Sequence, residues 1–285
     1  MALLSSLSHS PTTFHHPNSS SSAYYASKCR LSFPFFNPRI KSCASAISGR
    51  VIHRPLSSSN ICTQESAKVD SPLLSITESF YEDELWAAAC LRVRSFHDFA
   101  PDTFGIQDHM RYLAEREFEA LKERVSGKSA GLKRVSCINA SLPLSHISSH
   151  SEDLCTACKF SFNGEDRVVV GTLDLNQCLS LPDEIAGKKP ERIGADITRA
   201  YLSNVCVAKE RHRNGLGYAL IAKSKIVARE WGMTDLYVHV AIDNEPARKL
   251  YIKSGFLYES DEPAWQARFL DRPRRLLLWT DLTTT

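Results

Sequence analysis

The chain has 285 residues, with 35 lysines and arginines against 32 aspartates and glutamates, so its formal net charge is only +3. No apolar run reaches the roughly 18 residues that a membrane-spanning helix needs, which argues against a membrane protein. Its nine cysteines have no regular spacing, and this is not the pattern of a secreted disulfide framework.

The first 64 residues differ in composition from the rest of the chain. They contain many serines, six basic residues and no acidic residue. A basic, acid-free opening without a compact apolar run is typical of an organellar transit peptide, and the scarcity of arginine before position 30 favours a plastid. We therefore predict a disordered chloroplast transit peptide at 1–64, a linker at 65–73 and one domain at 74–283, in the plastid stroma. A disordered tail without a targeting role is the alternative.

The predicted transit peptide also accounts for the positive charge of the whole chain. Without residues 1–64, the balance changes from 35 basic against 32 acidic groups to 29 against 32. The positive excess therefore relates to import, and we predict neither a nucleic-acid partner nor a membrane partner. About 220 residues remain, which is enough for one domain with a sizeable core.

The first half of the domain alternates strand and helix patterns. Pro101 and Gly105 separate two helical apolar stripes, and Asn163-Gly164 is a strong signal for a hairpin turn. In chain order we predict strand 74–80, helix 82–99, helix 107–125, strand 134–142, a hairpin of strands 155–162 and 167–175, and a polar loop at 180–194.

One cluster of possible metal ligands lies in this half. His146, His150, Cys155 and Cys158 have suitable donor atoms, and the two cysteines form a Cys-x-x-Cys step. In an extended strand, however, residues three apart point to opposite faces. Because we predict a strand at 155–162, we predict no metal site.

The second half predicts a β-α-β-α-β arrangement. Strands joined by helices need crossover connections and hence some parallel pairing, whereas the hairpin supplies antiparallel pairs. We therefore predict an α/β fold with a mixed sheet. Its elements are a strand from Arg199, helix 216–231, strand 235–242, helix 246–254, strand 256–259 and strand 275–282.

A basic, glycine-containing turn joins the first of these strands to its helix. Gly215 and Gly217 remove side-chain obstruction, the helix N-terminus offers N–H groups, and Arg211 and Arg213 add positive charge. This combination predicts a pyrophosphate-binding site.

A second block, Asn244 to Phe256, follows after one strand. Together the two blocks resemble the GNAT superfamily of acyl-CoA N-acetyltransferases, namely its Arg/Gln-x-x-Gly-x-Gly/Ala and Asn-x-x-Ala-x-x-Leu-Tyr-x-x-x-Gly-Phe signatures. His212 departs from the first, which usually has Arg or Gln there. The resemblance implies a splayed central sheet flanked by helices, with acetyl-CoA as co-substrate and no metal. It extends to the plastid-targeted plant enzymes that acetylate protein lysines and N-termini.

The resemblance also implies which residues bind the cofactor. The main chain of one strand would pair with the pantetheine arm and polarise the acetyl carbonyl. The glycine turn would hold the pyrophosphate, and the second block would add further contacts. The predicted cofactor-binding residues are Val205, Cys206, Val207, Arg213, Asn214, Gly215, Leu216, Gly217, Tyr218, Asn244, Glu245, Pro246 and Tyr251.

Tyr251 is also the predicted catalytic residue, because a phenol can donate a proton to a CoA thiolate of similar basicity. Cys206 lacks a partner histidine pattern, so we interpret it as a packed thiol and not as a nucleophile. The base that deprotonates the amine stays unassigned. Asp196, His239, Glu259 and a water relay are the candidates, whereas Ser203 and Asn204 are too weakly basic to serve.

The predicted reaction is acetyl transfer to protein or peptide amines, either lysine or N-terminal. An α-amine, with a pKa near ~7.7 to 8.0, needs less help than a lysine near ~10.4. Acids at Glu259, Asp261 and Glu262 either attract a cationic amine or form a solvated loop.

A small-amine acetyltransferase, for example of polyamines, and a non-catalytic acyl-CoA-binding protein are the alternatives to this predicted function. The sequence does not fit a dinucleotide-dependent oxidoreductase, because Leu220 stands where the third glycine of that class's Gly-x-Gly-x-x-Gly motif would be. The sequence indicates no oligomeric state.

Overall fold

A computed structural model describes residues 73–100, 104–147, 151–179, 181 and 198–283. These residues form one eight-stranded sheet with helices on both faces. The elements are β1 Ser75–Glu78, α1 Glu82–Phe96, α2 Ile106–Val125, β2 Leu132–Pro143, α3 Glu152–Ala157, β3 Lys159–Phe162, β4 Glu165–Cys178, β5 Arg199–Val207, α4 Leu216–Glu230, β6 Asp235–Ala241, α5 Glu245–Lys253, β7 Leu257–Asp261, α6 Ala264–Phe269 and β8 Arg275–Asp281.

The sheet has the order β1-β2-β4-β5-β6-β8-β7, and β3 pairs with β4. Strands β5 and β6 are parallel, and every other described pair is antiparallel. The parallel pair follows from the crossover through α4, because a helix between two strands returns the chain to the same end of the sheet. The predicted mixed sheet is therefore confirmed.

Strand β4 separates the two helical layers. Side chains alternate along a strand, so Thr172 and Asp174 project toward α1, where Arg92 contacts both. Gly171 lies on the other face, where Leu220 of α4 approaches it. The main hydrophobic core includes Leu173, Leu175, Leu202, Leu220 and Ile221, which are fully buried.

Most predicted elements are present within a few residues of their predicted ends. The hairpin turn is confirmed, since Asn163 and Gly164 both have positive φ, 50° and 81°. Helix α6 was not predicted, because six residues are too few for a helical period to show. The predicted polar loop at 180–194 lies outside the described residues, except for the buried Leu181.

The strand predicted at 155–162 is wrong in its first half. Residues 152–157 form helix α3, which buries Leu154 and ends where the Cys158 N–H donates to the Leu154 carbonyl at 2.9 Å. The opposite-face argument for Cys155 and Cys158 therefore does not hold. His150 lies outside the described residues, and within the described part no three His, Cys, Asp or Glu side chains form a group that could hold a metal.

In the part of the chain that the structure covers, no helix is both long and apolar enough to cross a bilayer.

Gly171→Ala tests the contact between β4 and α4. An added Cβ would lie 2.9 Å from Leu220 Cδ1, so we expect overpacking to lower the free energy of unfolding by about 1–3 kcal/mol. Urea denaturation measures this loss. In a double-mutant cycle with Leu220→Ala, which removes the clashing atom, the two losses should be less than additive. Strictly additive losses would contradict the contact.

Candidate functional site

Strands β5 and β6 separate to form a wedge. They pair at only three positions, Ala200 with Leu236, Tyr201 with Tyr237 and Leu202 with Val238. Beyond Leu202, β5 continues to Val207, and β6 continues past Val238 to Ala241, without pairing between them. The predicted splay of the central sheet is thus confirmed, and it opens directly beside the turn that leads into α4.

A bulge in β5 coincides with the start of the wedge. The register with β4 shifts between the pairs Asp174–Ser203 and Thr172–Cys206. Asn204 lies in this shift with φ of 53°, a left-handed conformation that is uncommon for a residue other than glycine. Its side-chain amide donates to Asp174 Oδ2 at 2.8 Å. The bulge is therefore tied to the neighbouring strand by a side chain.

Asp174 is the centre of a buried network under the bulge. It is fully buried and accepts hydrogen bonds from Arg92 at 2.6 and 3.1 Å and from Arg124 at 3.3 Å. Burial alone would raise the pKa of Asp174, but the charges of Arg92 and Arg124 hold it below its ordinary value. Arg92 also bonds to Glu117 at 3.0 Å and to Thr172 at 3.2 Å. The network thus joins α1, α2, β4 and β5.

The main chain of β5 faces the wedge at alternate residues. The Ala208 N–H donates to the Val170 carbonyl of β4 at 2.9 Å. Peptide groups alternate in direction along an extended strand, so the N–H groups of Val207 and Val205 point toward the wedge, and that of Cys206 points toward β4. The Cys206 side chain is buried, which raises its pKa to about 11. It is a neutral thiol at physiological pH, in agreement with the packed-thiol interpretation.

The turn after β5 presents an uncapped helix N-terminus. Gly215 precedes α4 with φ of 75°, and no side chain caps the first turn of this helix. Arg213 and Asn214 are exposed, and Arg213 also has positive φ, 66°. The N–H groups of Leu216, Gly217 and Tyr218 therefore lie at the positive end of the helix dipole, which is the environment that binds anions.

Two basic residues of the turn have structural partners. The guanidinium of Arg211 donates to the His146 carbonyl at 3.1 Å. Arg211 therefore has a structural contact besides its predicted role of adding positive charge near a phosphate. His212, which replaces the usual Arg or Gln, places Nε2 at 2.9 Å from the Val207 carbonyl. This contact fixes the turn against the end of β5.

Gly217 has a packing role in addition to the predicted cofactor contact. A Cβ there would lie 3.0 Å from Leu250 Cδ2 of α5. The glycine therefore permits close packing of α4 on α5. This packing alone is enough to require a residue without a side chain at position 217.

Helix α5 holds Tyr251 beside the wedge. Asn244 caps the helix by accepting the Ala247 N–H at 3.1 Å, and Gly255 ends it with φ of 83°. Tyr251 is buried, with its ring centroid 5.6 Å from that of Phe256. Burial raises the pKa of the Tyr251 hydroxyl above its ordinary value, and the nearby Tyr201 hydroxyl adds to the rise. Tyr251 is therefore a protonated phenol at neutral pH.

The acidic residues after α5 are paired with arginines. Glu262 is buried and accepts hydrogen bonds from Arg272 and Arg275, and Asp261 lies 2.9 Å from Arg274. Glu262 is thus neither an exposed acid that could attract a cationic amine nor part of a solvated loop, which were the two predictions for it. Glu259 is exposed.

Of the other candidate bases, Asp196 lies outside the described residues. The hydroxyl of Ser203, which is not a candidate, accepts from Asn176 at 3.0 Å. His239 lies on β6 with Nδ1 at 3.2 Å from the Tyr201 hydroxyl. Sequence reasoning missed Tyr201, because a tyrosine within an apolar strand resembles any other half-polar core residue.

Comparison with known proteins gives concordant matches. The model of the acetyltransferase (GNAT) family matches residues 142–256. The GCN5-related N-acetyltransferase 7, chloroplastic, of Arabidopsis thaliana is 67% identical over 233 residues, which cover 81% of this chain and 84% of that relative. The GCN5-related N-acetyltransferase 6, chloroplastic, of the same plant is 30% identical over 63% of this chain and 60% of its own length.

Among solved structures, the chain is similar to that of PaiA N-acetyltransferase from Thermoplasma acidophilum in complex with coenzyme A. It aligns with 73% of this chain and 98% of its own length, at 12% identity and a TM-score of 0.43.

Asp174→Asn tests the network under the bulge. The variant leaves the buried Arg92 without a full countercharge, so we expect a loss of about 3–5 kcal/mol in the free energy of unfolding at pH 7. Because the pKa of Asp174 is lowered in the folded protein, its contribution is present above the unfolded value of about 3.9 and disappears as pH falls through the lower folded value. The difference between the two proteins should therefore shrink below about pH 4.

Denaturant titrations of both proteins from pH 3 to pH 7 measure this difference. Asp166→Asn is the control, because the Asp166 side chain keeps 42% of its surface exposed and has a pKa that is also lowered, by Ser161 and Lys159. Its loss should be much smaller. A loss from Asp174→Asn that is equally small would contradict the network.

Proposed function

The chain belongs to the GNAT family of acetyltransferases, and from that premise we propose that it transfers the acetyl group of acetyl-CoA to amines of proteins or peptides. The single observation that carries this proposal is the wedge between β5 and β6, which opens beside the uncapped N-terminus of α4. A thioester arm fits a gap between strands, and a pyrophosphate fits a helix N-terminus.

The proposed binding mode assigns one part of acetyl-CoA to each element. The N–H groups of Val205 and Val207 would pair with the pantetheine arm. The turn from Arg213 to Tyr218 would hold the pyrophosphate, through its N–H groups and one guanidinium. The segment Asn244 to Pro246 is exposed at the start of α5, where it is available for further cofactor contacts.

The proposed chemistry is direct attack on the thioester. The amine nitrogen forms a C–N bond with the acetyl carbon, and a β5 N–H group stabilises the oxyanion that develops. The C–S bond then breaks, and Tyr251 donates its proton to the departing thiolate. The amine loses one proton to solvent, and Tyr251 recovers one from solvent. The raised pKa of Tyr251 is consistent with a group that holds its proton until the thiolate forms.

The proposed setting is the plastid. Both Arabidopsis relatives are named chloroplastic, which agrees with the predicted location. We propose residues 1–64 as the transit peptide, 65–73 as the linker and 74–283 as the acetyltransferase domain. A small-amine acceptor is the second candidate function, because family membership does not by itself distinguish between classes of amine.

The acceptor class is tested by incubating the full chain with acetyl-CoA and three acceptors. These are a lysine-free peptide with a free N-terminus, an N-terminally blocked peptide with one lysine, and spermidine. We expect acetylation of at least one peptide, located by mass spectrometry. Transfer to spermidine alone would favour the small-amine alternative, and acetyl-CoA binding without any transfer would favour the non-catalytic alternative.

Tyr251→Phe tests the proposed acid. We expect kcat to fall by about 10²–10⁴-fold, the usual range for loss of a general acid, and the Kd of acetyl-CoA to stay unchanged. Calorimetry and a CoA-release assay measure the two quantities. Tyr218→Phe is the control, because that exposed tyrosine is proposed to contribute only its backbone. Equal rates for Tyr251→Phe and wild type would eliminate the proposed role.

Arg213→Gly tests the pyrophosphate site. Glycine adopts the positive φ of this position without strain, so the variant removes the charge and keeps the turn. We expect about tenfold weaker acetyl-CoA binding at low salt and a smaller effect at high salt. Asn163→Gly, at another position with positive φ, controls for the backbone change. Unchanged affinity at low salt would contradict the assignment of Arg213.

A further inference from the structure

The side chain of Lys225 connects α4 to the end of α5. Lys225 lies on α4, and its ammonium donates to the Ser254 carbonyl at 2.5 Å and to the Thr280 hydroxyl of β8 at 3.3 Å. Ser254 is the C-cap residue of α5, and the carbonyls at a helix end lack partners within the helix. One ammonium thus joins two helices and a strand.

The same ammonium also lies over the ring of Phe256. Its nitrogen is 5.2 Å from the ring centroid, which is within the range of a cation–π contact. The Phe256 ring centroid is in turn 5.6 Å from that of Tyr251, and the Phe256 N–H donates to the Tyr251 carbonyl at 3.0 Å. Both rings are buried. Contacts therefore lead from the ammonium through Phe256 to the proposed acid.

This position is an unfavourable one for a cation. Burial lowers the pKa of Lys225 below its ordinary value, and the charge of Arg229 adds to the lowering. Among the described residues, no carboxylate lies within ion-pair distance of Lys225, and its partners are a carbonyl, a hydroxyl and an aromatic face. Arrangements that cost stability in this way concentrate at functional sites.

Helix α5 needs contacts with its neighbours to keep its direction. It has only nine residues, and a helix this short is marginal on its own. Leu250 packs on α4 where Gly217 lacks a side chain, but a single point of contact lets a helix pivot. The contact of Lys225 with Ser254 supplies a second point near the end of the helix. Tyr251 lies between the two points.

We propose that Lys225 positions Tyr251 for catalysis: its ammonium fixes the end of α5 against α4, and this directs the phenol at the departing thiolate. The inference rests on the proposed acetyl transfer with Tyr251 as its acid. A proton is transferred efficiently only when the donor and acceptor atoms are about 2.6–3.2 Å apart, and a misplacement of about 1 Å can cost about 100-fold in rate. As the C–S bond breaks, the thiolate takes the Tyr251 proton, and Lys225 keeps its own.

The test compares variants of the full chain with acetyl-CoA and the lysine-free peptide, the lysine peptide or spermidine, whichever the wild type acetylates fastest. Lys225→Met keeps the apolar stem of the side chain and removes the ammonium. We expect kcat to fall by about tenfold or more. The Kd of acetyl-CoA should stay unchanged, because the turn proposed to hold the pyrophosphate lies at the other end of α4.

Two further variants identify the part of Lys225 that matters. Lys225→Arg should keep about a third of the wild-type rate or more, because a guanidinium also donates to a carbonyl and lies over an aromatic ring. Lys253→Met is the matched control, because Lys253 is another cation in the last turn of α5 but is exposed. It should keep the wild-type rate, which separates the Lys225 contacts from the general attraction of a cation to a helix C-terminus.

A double-mutant comparison supplies a readout that a purely structural role would not produce. If Lys225 acts through the phenol, Lys225→Met should lower kcat no further in the Tyr251→Phe background. A change that only reduced the fraction of folded enzyme would instead lower kcat by the same factor in both backgrounds. Urea denaturation of each variant measures folding separately.

A wild-type kcat for Lys225→Met, or the same factor of loss in both backgrounds, would overturn the inference. A wild-type rate for Tyr251→Phe would overturn it together with the proposed acid and leave acetyl transfer intact. If Lys225→Met does not fold, Lys225→Gln takes its place with the same expected loss, because its side chain is also uncharged and is too short for the same contacts. Absence of transfer in wild type would instead contradict the proposed function.

Discussion

The buried ion pair between Arg92 and Asp174 is the interaction on which the site geometry depends. Both side chains are almost fully buried, and an isolated charge in such a place would be strongly unfavourable. The pair is tolerated because Arg124, Glu117, Thr172 and Asn204 add further hydrogen bonds to its charged groups, although Arg92 Nε is buried without a hydrogen-bond partner among the described residues. Two helices and two strands must therefore meet in one arrangement, which is a requirement that an apolar contact of the same size would not impose.

The wedge follows from this arrangement. Asn204 satisfies one oxygen of Asp174 only if β5 bulges there, and the bulge turns the rest of β5 away from β6. The main-chain groups beyond Asn204 then lack a partner strand on one side. An unpaired strand edge usually promotes aggregation, but here it lies inside the sheet, where a ligand can reach it and another chain cannot readily do so.

Local signals in the sequence predicted much of this molecule. Asn163-Gly164 specified a hairpin turn, and the apolar periods located most helices and strands. These features depend on residues close in sequence, so they can be identified there. The two signature blocks then indicated the family, and with it the splayed sheet.

Features that depend on distant residues were missed. Nothing in the segment Tyr201 to Val207 reveals that Asn204 is left-handed, because the cause is Asp174 on another strand. Arg92 resembles a solvent-facing residue of an amphipathic helix, and its burial is decided by partners up to 82 residues away. The residues around Cys155 are compatible with a strand or a helix, and we predicted a strand. The structure has a helix there, which buries the Leu154 side chain. Gly217 was selected for its place in the glycine turn, and its packing against Leu250 of another helix could not be seen in the sequence.

That packing holds α4 closely against α5. With no side chain on Gly217, Leu250 of the helix that bears Tyr251 lies directly against the helix that begins at the glycine turn, and a relative shift of the two helices would disturb this contact. The packing of the two helices consequently sets the distance between the turn and the Tyr251 hydroxyl. A donor whose arm is shorter or longer than this span would present its thioester away from Tyr251 even if both of its ends were bound. In the proposed binding mode, the distance between these two helices therefore limits which acyl carrier can place its thioester beside Tyr251.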